Sequence, residues 1–195
     1  MEAWDVIVLG DGPAALHAAA EAAKSGASTL MMSATGLGNP GMAALEGISA
    51  SLQESNNRSH REDTIRCGAF LCDQDIVAER TAGAIKQVDL LERRGVNFRR
   101  DQQGLPMVRK GAGHQQPRTV DAGSGTALGI QQVGEEQCMR HGVIRRGDQI
   151  PLTLVHTNQS VEGMIALDMV NGCLLYTSDA ADDTPCVDLG GRRII

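Results

Sequence analysis

The N-terminal stretch Asp5-Val-Ile-Val-Leu-Gly-Asp-Gly-Pro-Ala-Ala15 decides the fold class of this 195-residue chain. Asp5 to Leu9 is a short apolar run rich in β-branched residues, which is typical of a buried parallel strand. The alanine-rich run from Pro13 to Ser25 predicts a helix, because proline fits the first turn of a helix. Ser28 to Ser33 predicts a second strand. These elements together predict a βαβ unit and an α/β fold with a parallel sheet.

The turn between the predicted strand and helix carries the spacing Gly-x-Gly-x-x-Ala. The first glycine allows a tight turn, the second lets a phosphate approach the backbone, and the alanine lets the helix pack closely on the strand. A helix N-terminus also offers free N–H groups and a partial positive charge to an anion. We therefore predict a dinucleotide cradle in the turn that Gly10, Gly12 and Ala15 define, with Pro13 and Ala14 at the start of the helix. Asp11 is unfavourable beside a phosphate unless its side chain points elsewhere.

The end of the second strand departs from the usual dinucleotide pattern. An acidic residue commonly stands there and binds the ribose hydroxyls, but this chain has Met32-Ser33-Ala34. The Ser33 hydroxyl would bind a ribose more weakly. The departure disfavours a simple NAD-binding domain.

The remaining sequence predicts further elements and loops. Thr35 to Asn57 is predicted as an extended loop with a short helix near Ala43 to Leu52, and Asn56 to Asp63 as solvent-exposed. Asp101 to Gly125 is a long loop, in which His114 and Arg118 are open to two interpretations: a solvated loop, or side chains that face a dicarboxylate. The other predicted elements are two helices, Asp75–Arg94 and Gly125–His141, and two strands, Ile150–Val155 and Val161–Val170.

Composition excludes several classes of function. Hydrophobic residues make up 42% and charged residues 22% of the chain, as in globular proteins. The net charge of −6 argues against nucleic acid as a partner. No apolar run approaches the roughly 20 residues that span a bilayer, and no leader peptide precedes the first strand, which predicts a cytoplasmic location without direct membrane insertion. The five cysteines are predicted to be reduced thiols, and no metal site is expected.

The stretch 173–195 differs from the rest of the chain. Residues 173–182 resemble the translation of a common sequencing-library adapter, and residues 186–195 resemble the translation of its outer primer. We predict that 173–195 is an artefactual, disordered tail; a natural polar tail is the alternative. Residues 1–172 are then the natural part of the chain.

Five ordered blocks resemble the flavoprotein subunits of succinate dehydrogenase and fumarate reductase, which are relatives of L-aspartate oxidase. They are Asp5–Ala15, Met42–Ile48, Asp63-Thr64 with Cys72–Asp75, Leu91–Arg99, and Pro117–Thr119 with Ser124-Gly125. The resemblance implies that residues 1–172 are an incomplete, Rossmann-like FAD-binding domain, cut short before a capping domain where the family's catalytic residues lie. No catalytic residue is therefore assigned in this chain.

The resemblance also assigns the cofactor contacts. It places Ser33 and Ala34 near the adenosine ribose, and Ala43, Ala44, Glu46 and Gly47 near the flavin. Pro40 stands where complex-type members carry a histidine that bonds to the flavin, so non-covalent FAD is expected.

By resemblance, the function is hydride transfer between a small carboxylate and flavin in an oxidoreductase of the succinate dehydrogenase/fumarate reductase type. An iron–sulfur electron-transfer subunit is an optional partner, which would place the protein peripherally on the inner face of a membrane. Two alternatives stay open: a flavin oxidase like L-aspartate oxidase, or a non-catalytic nucleotide-binding fragment.

Overall fold

The computed structural model describes residues 2–35, 45–157, 160–178 and 187–188. The chain forms two compact units, one from Met1–Pro40 with Gly134–Ile195 and the other from Gly41–Val133. The unit boundary falls within one helix, α4 (Thr126–Arg140).

The first unit contains the predicted βαβ motif. Strand β1 (Val6–Leu9), helix α1 (Pro13–Lys24) and strand β2 (Thr29–Met32) follow one another, and β1 pairs with β2 in parallel. Strand β6 (Ile144–Arg146) extends the sheet in the order β1-β2-β6, also in parallel. The prediction of an α/β fold with a parallel sheet is therefore confirmed.

Small residues bring the helices of this unit close together. Leu16 is fully buried among Ala19, Ala20, Met31, Cys138 and Val143. A Cβ added to Gly134 in α4 would lie 2.9 Å from Leu16, so only glycine permits this approach. Full burial of one such leucine stabilises the fold by roughly 1.5–3 kcal/mol.

An antiparallel sheet completes the first unit. Its strands are β7 (Gln149–His156), β8 (Val161–Asp168), β9 (Cys173–Ser178) and β10 (Val187–Asp188), in the order β10-β9-β8-β7. The two predicted strands correspond to β7 and β8. The prediction of a disordered tail is wrong for 173–178 and 187–188, which form β9 and β10. Leu174, Leu175 and Tyr176 have the apolar and aromatic side chains that favour a strand, and they pair with β8. The foreign origin of 173–195 stays a prediction.

The second unit combines two helices with a small sheet. Helix α2 (Asn57–Cys67) and helix α3 (Gln74–Arg93) precede the strands β4 (Val108–Arg109) and β5 (Thr119–Val120), and β3 (Ile48–Ser49) completes the antiparallel sheet β3-β5-β4. The Asp73 side chain caps α3 by accepting from the N–H groups of Asp75 and Ile76. The core contains Ala50, Val88, Val96, Phe98, Val120, Ile130 and Val133.

Helix α2 ends in an unusual turn. The N–H of Ala69 donates to the Arg66 carbonyl and that of Phe70 to the Ile65 carbonyl, which is the Schellman pattern. Ala69 and Phe70 have φ angles of 50° and 62°, in the region that usually selects glycine. Backbone strain is therefore stored between α2 and α3.

Two loop predictions need correction. Residues 45–52 contain β3 and no helix, because Ile48 and Ser49 pair with β5; the rest of the predicted short helix lies outside the described residues. Asn56 to Asp63 is not a solvent-exposed loop, since it forms the start of α2 and buries His60 and Asp63.

Candidate cofactor site

The turn from β1 to α1 adopts the geometry that its glycines predict. Gly10 has a φ of +115°, which a residue with a side chain rarely adopts. Its N–H donates to the Met32 carbonyl at 2.7 Å, which ties the turn to the neighbouring strand. A Cβ on Gly10 would lie 3.6 Å from the Cβ of Ala15, so the helix packs directly behind the turn.

The N-terminus of α1 is open to an anion. Gly12 is the N-cap and no side chain caps this end of the helix. The first helical hydrogen bond runs from the Leu16 N–H to the Gly12 carbonyl at 3.0 Å, and Pro13 has no N–H. The N–H groups of Ala14 and Ala15 precede this bond and have no carbonyl partner within the helix. These residues fit the diphosphate of a dinucleotide, which needs donors and a partial positive charge.

The end of β2 carries a short hydrogen-bonded chain of side chains. The Ser33 and Thr35 hydroxyl oxygens are 3.1 Å apart, and the Thr35 hydroxyl donates to the Asp11 carboxylate at 3.2 Å. Ser33 is only 5% exposed and Asp11 only 7% exposed, whereas Ala34 is exposed. The Asp11 side chain thus lies on the β2 side of the turn.

The predicted flavin contacts are only partly described. Ala43 and Ala44, like Pro40, lie outside the described residues. Glu46 is exposed, and its carbonyl accepts from the Arg109 guanidinium at 3.0 Å. A Cβ on Gly47 would lie 2.7 Å from the Val120 carbonyl oxygen, so packing against β5 already requires this glycine.

A buried polar group in the second unit was not predicted from the sequence. We call it the Asp63 cluster, and it contains Ser49, His60, Asp63, Arg66, His114 and Arg118. Asp63 is 1% exposed and accepts from Arg118, itself 2% exposed, at 2.6 Å. Asp63 also accepts from the Gln115 N–H at 2.8 Å and pairs with Arg66.

Electrostatics of the Asp63 cluster favour a charged aspartate and neutral histidines. Burial alone would raise the pKa of Asp63, but the Gln115 N–H and Arg118 outweigh it, and the pKa lies well below its usual range. Burial, with Arg118 and His114 nearby, lowers the pKa of His60 to about 4. Burial likewise lowers the pKa of His114.

Arg118 is therefore buried and His114 half-buried, although residues 112, 113 and 115–117 beside His114 are exposed. One His114 nitrogen accepts from the Gly111 N–H, and the other lies 3.2 Å from the Ser49 hydroxyl. Within the described ranges, Nε and Nη1 of Arg118 and Nδ1 of His60 are buried without a hydrogen-bond partner. Asp63 and Arg118 each lie in a sequence block that resembles the flavoprotein subunits. Their opposite charges are the one sequence feature from which this ion pair could have been predicted.

A second carboxylate in this unit, that of Asp121, forms ion pairs with two arginines. Asp121 is bound by Arg99 at 2.7 Å and by Arg109 at 3.0 Å. The Arg99 hydrogen bond lowers the pKa of Asp121 to about 2, against the opposing effect of burial. These contacts tie β4 to the end of β5.

Neither a metal site nor a membrane span is seen in the residues that the structure describes. No three His, Cys, Asp or Glu side chains group there as a metal ion would require. None of the helices in the same ranges is both long and apolar enough to cross a bilayer.

The fold and the turn define a class: a Rossmann-like dinucleotide-binding fold in which the N-terminus of α1 has no side-chain cap. The family model described as FAD binding domain matches residues 5–182. The chain therefore belongs to the FAD binding domain family, and its cofactor is FAD.

The chain is similar to flavoprotein subunits and to an oxidase. The succinate dehydrogenase flavoprotein subunit of Bacillus subtilis (strain 168) is 28% identical over 205 residues, which cover 100% of this chain and 34% of that protein. The L-aspartate oxidase of Agrobacterium fabrum is 36% identical over 129 residues, covering 64% of this chain and 24% of that protein. The structure of FrdA from E. coli quinol fumarate reductase matches with a TM-score of 0.79 and 25% identity, covering 91% of this chain and 32% of that one. The chain thus spans about a third or less of the length of these relatives.

Proposed function

We propose that this chain supplies the FAD-binding part of an oxidoreductase of the succinate dehydrogenase/fumarate reductase type. The whole protein would move a hydride between a small carboxylate and the flavin. The observation that carries the proposal is the uncapped turn at Gly10 to Ala15, combined with the family match over residues 5–182. FAD supplies the redox chemistry when bound, and this chain binds and orients it.

The residues proposed to hold the cofactor fall into three groups. The backbone of the β1–α1 turn binds the diphosphate. Ser33 and Ala34 lie near the adenosine ribose. The segment with Ala43, Ala44, Glu46 and Gly47 contacts the flavin. Pro40 at the position of the family's flavin-bonding histidine supports non-covalent binding, so acid denaturation should release all the flavin into the supernatant.

Titration of the purified chain with FAD tests the proposal, with quenching of flavin fluorescence as the readout. We expect saturable binding and an increase in the melting temperature with FAD concentration. Gly10→Ala should weaken binding at least about tenfold, because alanine at a φ of +115° distorts the turn. Gly26→Ala is the matched control, since Gly26 has a φ of +95° and open space around it at the other end of α1. No binding by the wild-type chain, or equal binding by both variants, would refute the proposal.

An L-aspartate oxidase-like enzyme is the second candidate. The observation that favours it is the 36% identity to the Agrobacterium fabrum enzyme. The whole protein would then transfer electrons to oxygen and produce hydrogen peroxide with L-aspartate. An electron-transfer subunit with iron–sulfur centres, and peripheral attachment to a membrane through it, belong to the first candidate. A peroxide assay with L-aspartate and with succinate separates the two.

A non-catalytic nucleotide-binding fragment is the third candidate, motivated by the short coverage of the relatives. Under this hypothesis the chain lacks a cooperative unfolding transition that FAD can shift. A thermal scan with and without FAD decides between it and the first two.

A further inference from the structure

The end of β2 lacks the acid that dinucleotide-binding domains use for the ribose. No Asp or Glu occurs between Ser33 and Leu45, and the first acidic residue after β2 is Glu46. Ser33 alone would give the ribose hydroxyls a neutral partner. A carboxylate binds a hydroxyl about twice as strongly as a neutral acceptor does.

A carboxylate nevertheless reaches this place from the neighbouring turn. β1 and β2 are parallel, and Leu9 pairs with Met32, so the residues that follow the two strands lie side by side. Asp11 follows β1, and Thr35 follows β2. The 3.2 Å hydrogen bond from the Thr35 hydroxyl to Oδ2 of Asp11 joins them across 24 residues of chain.

The contacts of Thr35 hold this arrangement. The Thr35 N–H donates to the Ser33 hydroxyl at 3.2 Å, and the carbonyl of Thr35 accepts from the Asp148 N–H at the same distance. The carbonyl of Ser33 accepts from the Gln149 N–H at 2.9 Å. Because the N–H and the carbonyl of Thr35 are both hydrogen-bonded, its hydroxyl is held in place as a donor to Asp11.

An acid in a phosphate-binding turn is otherwise unfavourable, because two negative charges at close range repel each other. Turning Asp11 toward β2 relieves this conflict. A carboxylate has about four acceptor positions, so Asp11 can accept from a ligand hydroxyl in addition to its contacts within the protein.

We propose that Asp11 takes the place of the missing acid at the end of β2 and accepts a hydrogen bond from the adenosine ribose of FAD. The inference rests on the proposed function, since it requires the diphosphate to lie in the β1–α1 turn. It makes Asp11 a specificity residue for the ribose, beside the backbone that binds the phosphates.

Competition against FAD by ADP and by 2′,3′-dideoxy-ADP tests the proposal, because the two nucleotides differ only in the ribose hydroxyls. The wild-type chain should prefer ADP by about 10- to 100-fold, the range expected for a hydrogen bond to a charged group. Asp11→Asn should reduce this preference to within a few-fold. The ratio of the two affinities is insensitive to the general charge effect, which acts equally on both nucleotides.

Two variants give the matched comparison. Thr35→Val removes the donor that orients Asp11 and should reduce the preference partly. Thr35→Ser keeps the hydroxyl and should retain the preference. Retention of the full preference in Asp11→Asn would overturn the proposal.

Other outcomes are equally decisive. Equal affinities of the wild-type chain for the two nucleotides, or no competition by ADP, would also overturn the proposal. If the wild-type chain binds neither FAD nor ADP, the proposed function itself fails. Thermal unfolding of each variant separates a changed ribose preference from a changed fold.

Discussion

The β1–α1 turn and the Asp63 cluster are built on opposite principles. The turn works through its backbone: Gly10 and Gly12 contribute a conformation and a lack of side chain, and all its residues lie within six positions. The cluster works through side chains, and its central ion pair joins Asp63 to Arg118 across 55 positions. A site built from the backbone can therefore be predicted from the sequence. A pair of side chains that are distant in the chain can be recognised only in the folded structure.

Breaking the ion pair should have the largest effect. Asp63→Asn leaves the Arg118 guanidinium buried without a carboxylate, which should cost about 3–5 kcal/mol in the free energy of unfolding. The double variant Asp63→Leu with Arg118→Met should recover part of this loss, because it leaves no buried charge. Urea denaturation provides the measurement. The exposed pair of Arg58 and Glu62 is the control, since Arg58→Ala should cost at most about 1 kcal/mol.

Titration of the buried histidines should give the next largest effect. The folded-state pKa of His60 is about 4, below its unfolded value of about 6.5, so the unfolded state takes up the proton first. Stability should therefore fall as the pH decreases from about 6.5 toward 4, by up to about 1.4 kcal/mol per pH unit. His60→Gln should flatten this slope, and the remaining slope should come from His114, whose pKa is also lowered.

The same measurement separates histidine from carboxylate effects. Asp63 and Asp121 have lowered pKa values, so their contribution is present above their unfolded pKa near 4 and is lost only at lower pH. If the stability of the His60→Gln variant and of the wild-type chain depends equally on pH between 6.5 and 4, His60 is not the group responsible for the loss of stability.

Gly47 tests whether a backbone constraint in the second unit is as strict as the one at Gly10. Gly47→Ala places a Cβ 2.7 Å from the Val120 carbonyl, so we expect a loss of about 1–3 kcal/mol. Gly83→Ala is the control, since Gly83 lies within α3 with no atom near its added Cβ, and alanine there should stabilise the helix by about 0.5–1 kcal/mol. Similar effects of the two substitutions in thermal unfolding would show that the contact at Gly47 relaxes easily.

The smallest expected effect lies at the turn between α2 and α3. Ala69→Gly should stabilise the chain by about 0.5–1 kcal/mol, because it removes left-handed strain and loses only unfolded-state entropy. Ala82→Gly makes the same chemical change on the exposed face of α3 and should destabilise by about 1 kcal/mol. Changes of opposite sign in the free energy of unfolding support the strained turn, and a decrease for both variants refutes it.

The elements that could be predicted from the sequence are those that local sequence patterns determine. The βαβ unit, helices α3 and α4 and strands β7 and β8 followed from periodicity and from glycine and proline signals. Helix α2 was missed because its residues are polar: its buried positions are His60 and Asp63, which no hydrophobic pattern marks. Burial there depends on Arg118, and no local rule connects the two segments.

The candidate site divides in the same way. Gly10, Gly12 and Ala15 could be assigned from spacing alone. The direction of the Asp11 side chain could not, because it depends on a hydroxyl from the next strand. Gly47 was assigned to the flavin site by resemblance, but its close packing against β5 already requires glycine at this position.

Strand β7 lies at the end of its four-stranded sheet, and Leu152, Leu154 and Val155 are exposed on it. Its outer edge thus carries main-chain donors and acceptors beside apolar side chains. This combination favours pairing with a strand of another molecule. Concentrated solutions of this polypeptide should therefore self-associate along β7, and a lysine introduced at Leu154 should keep the molecules apart.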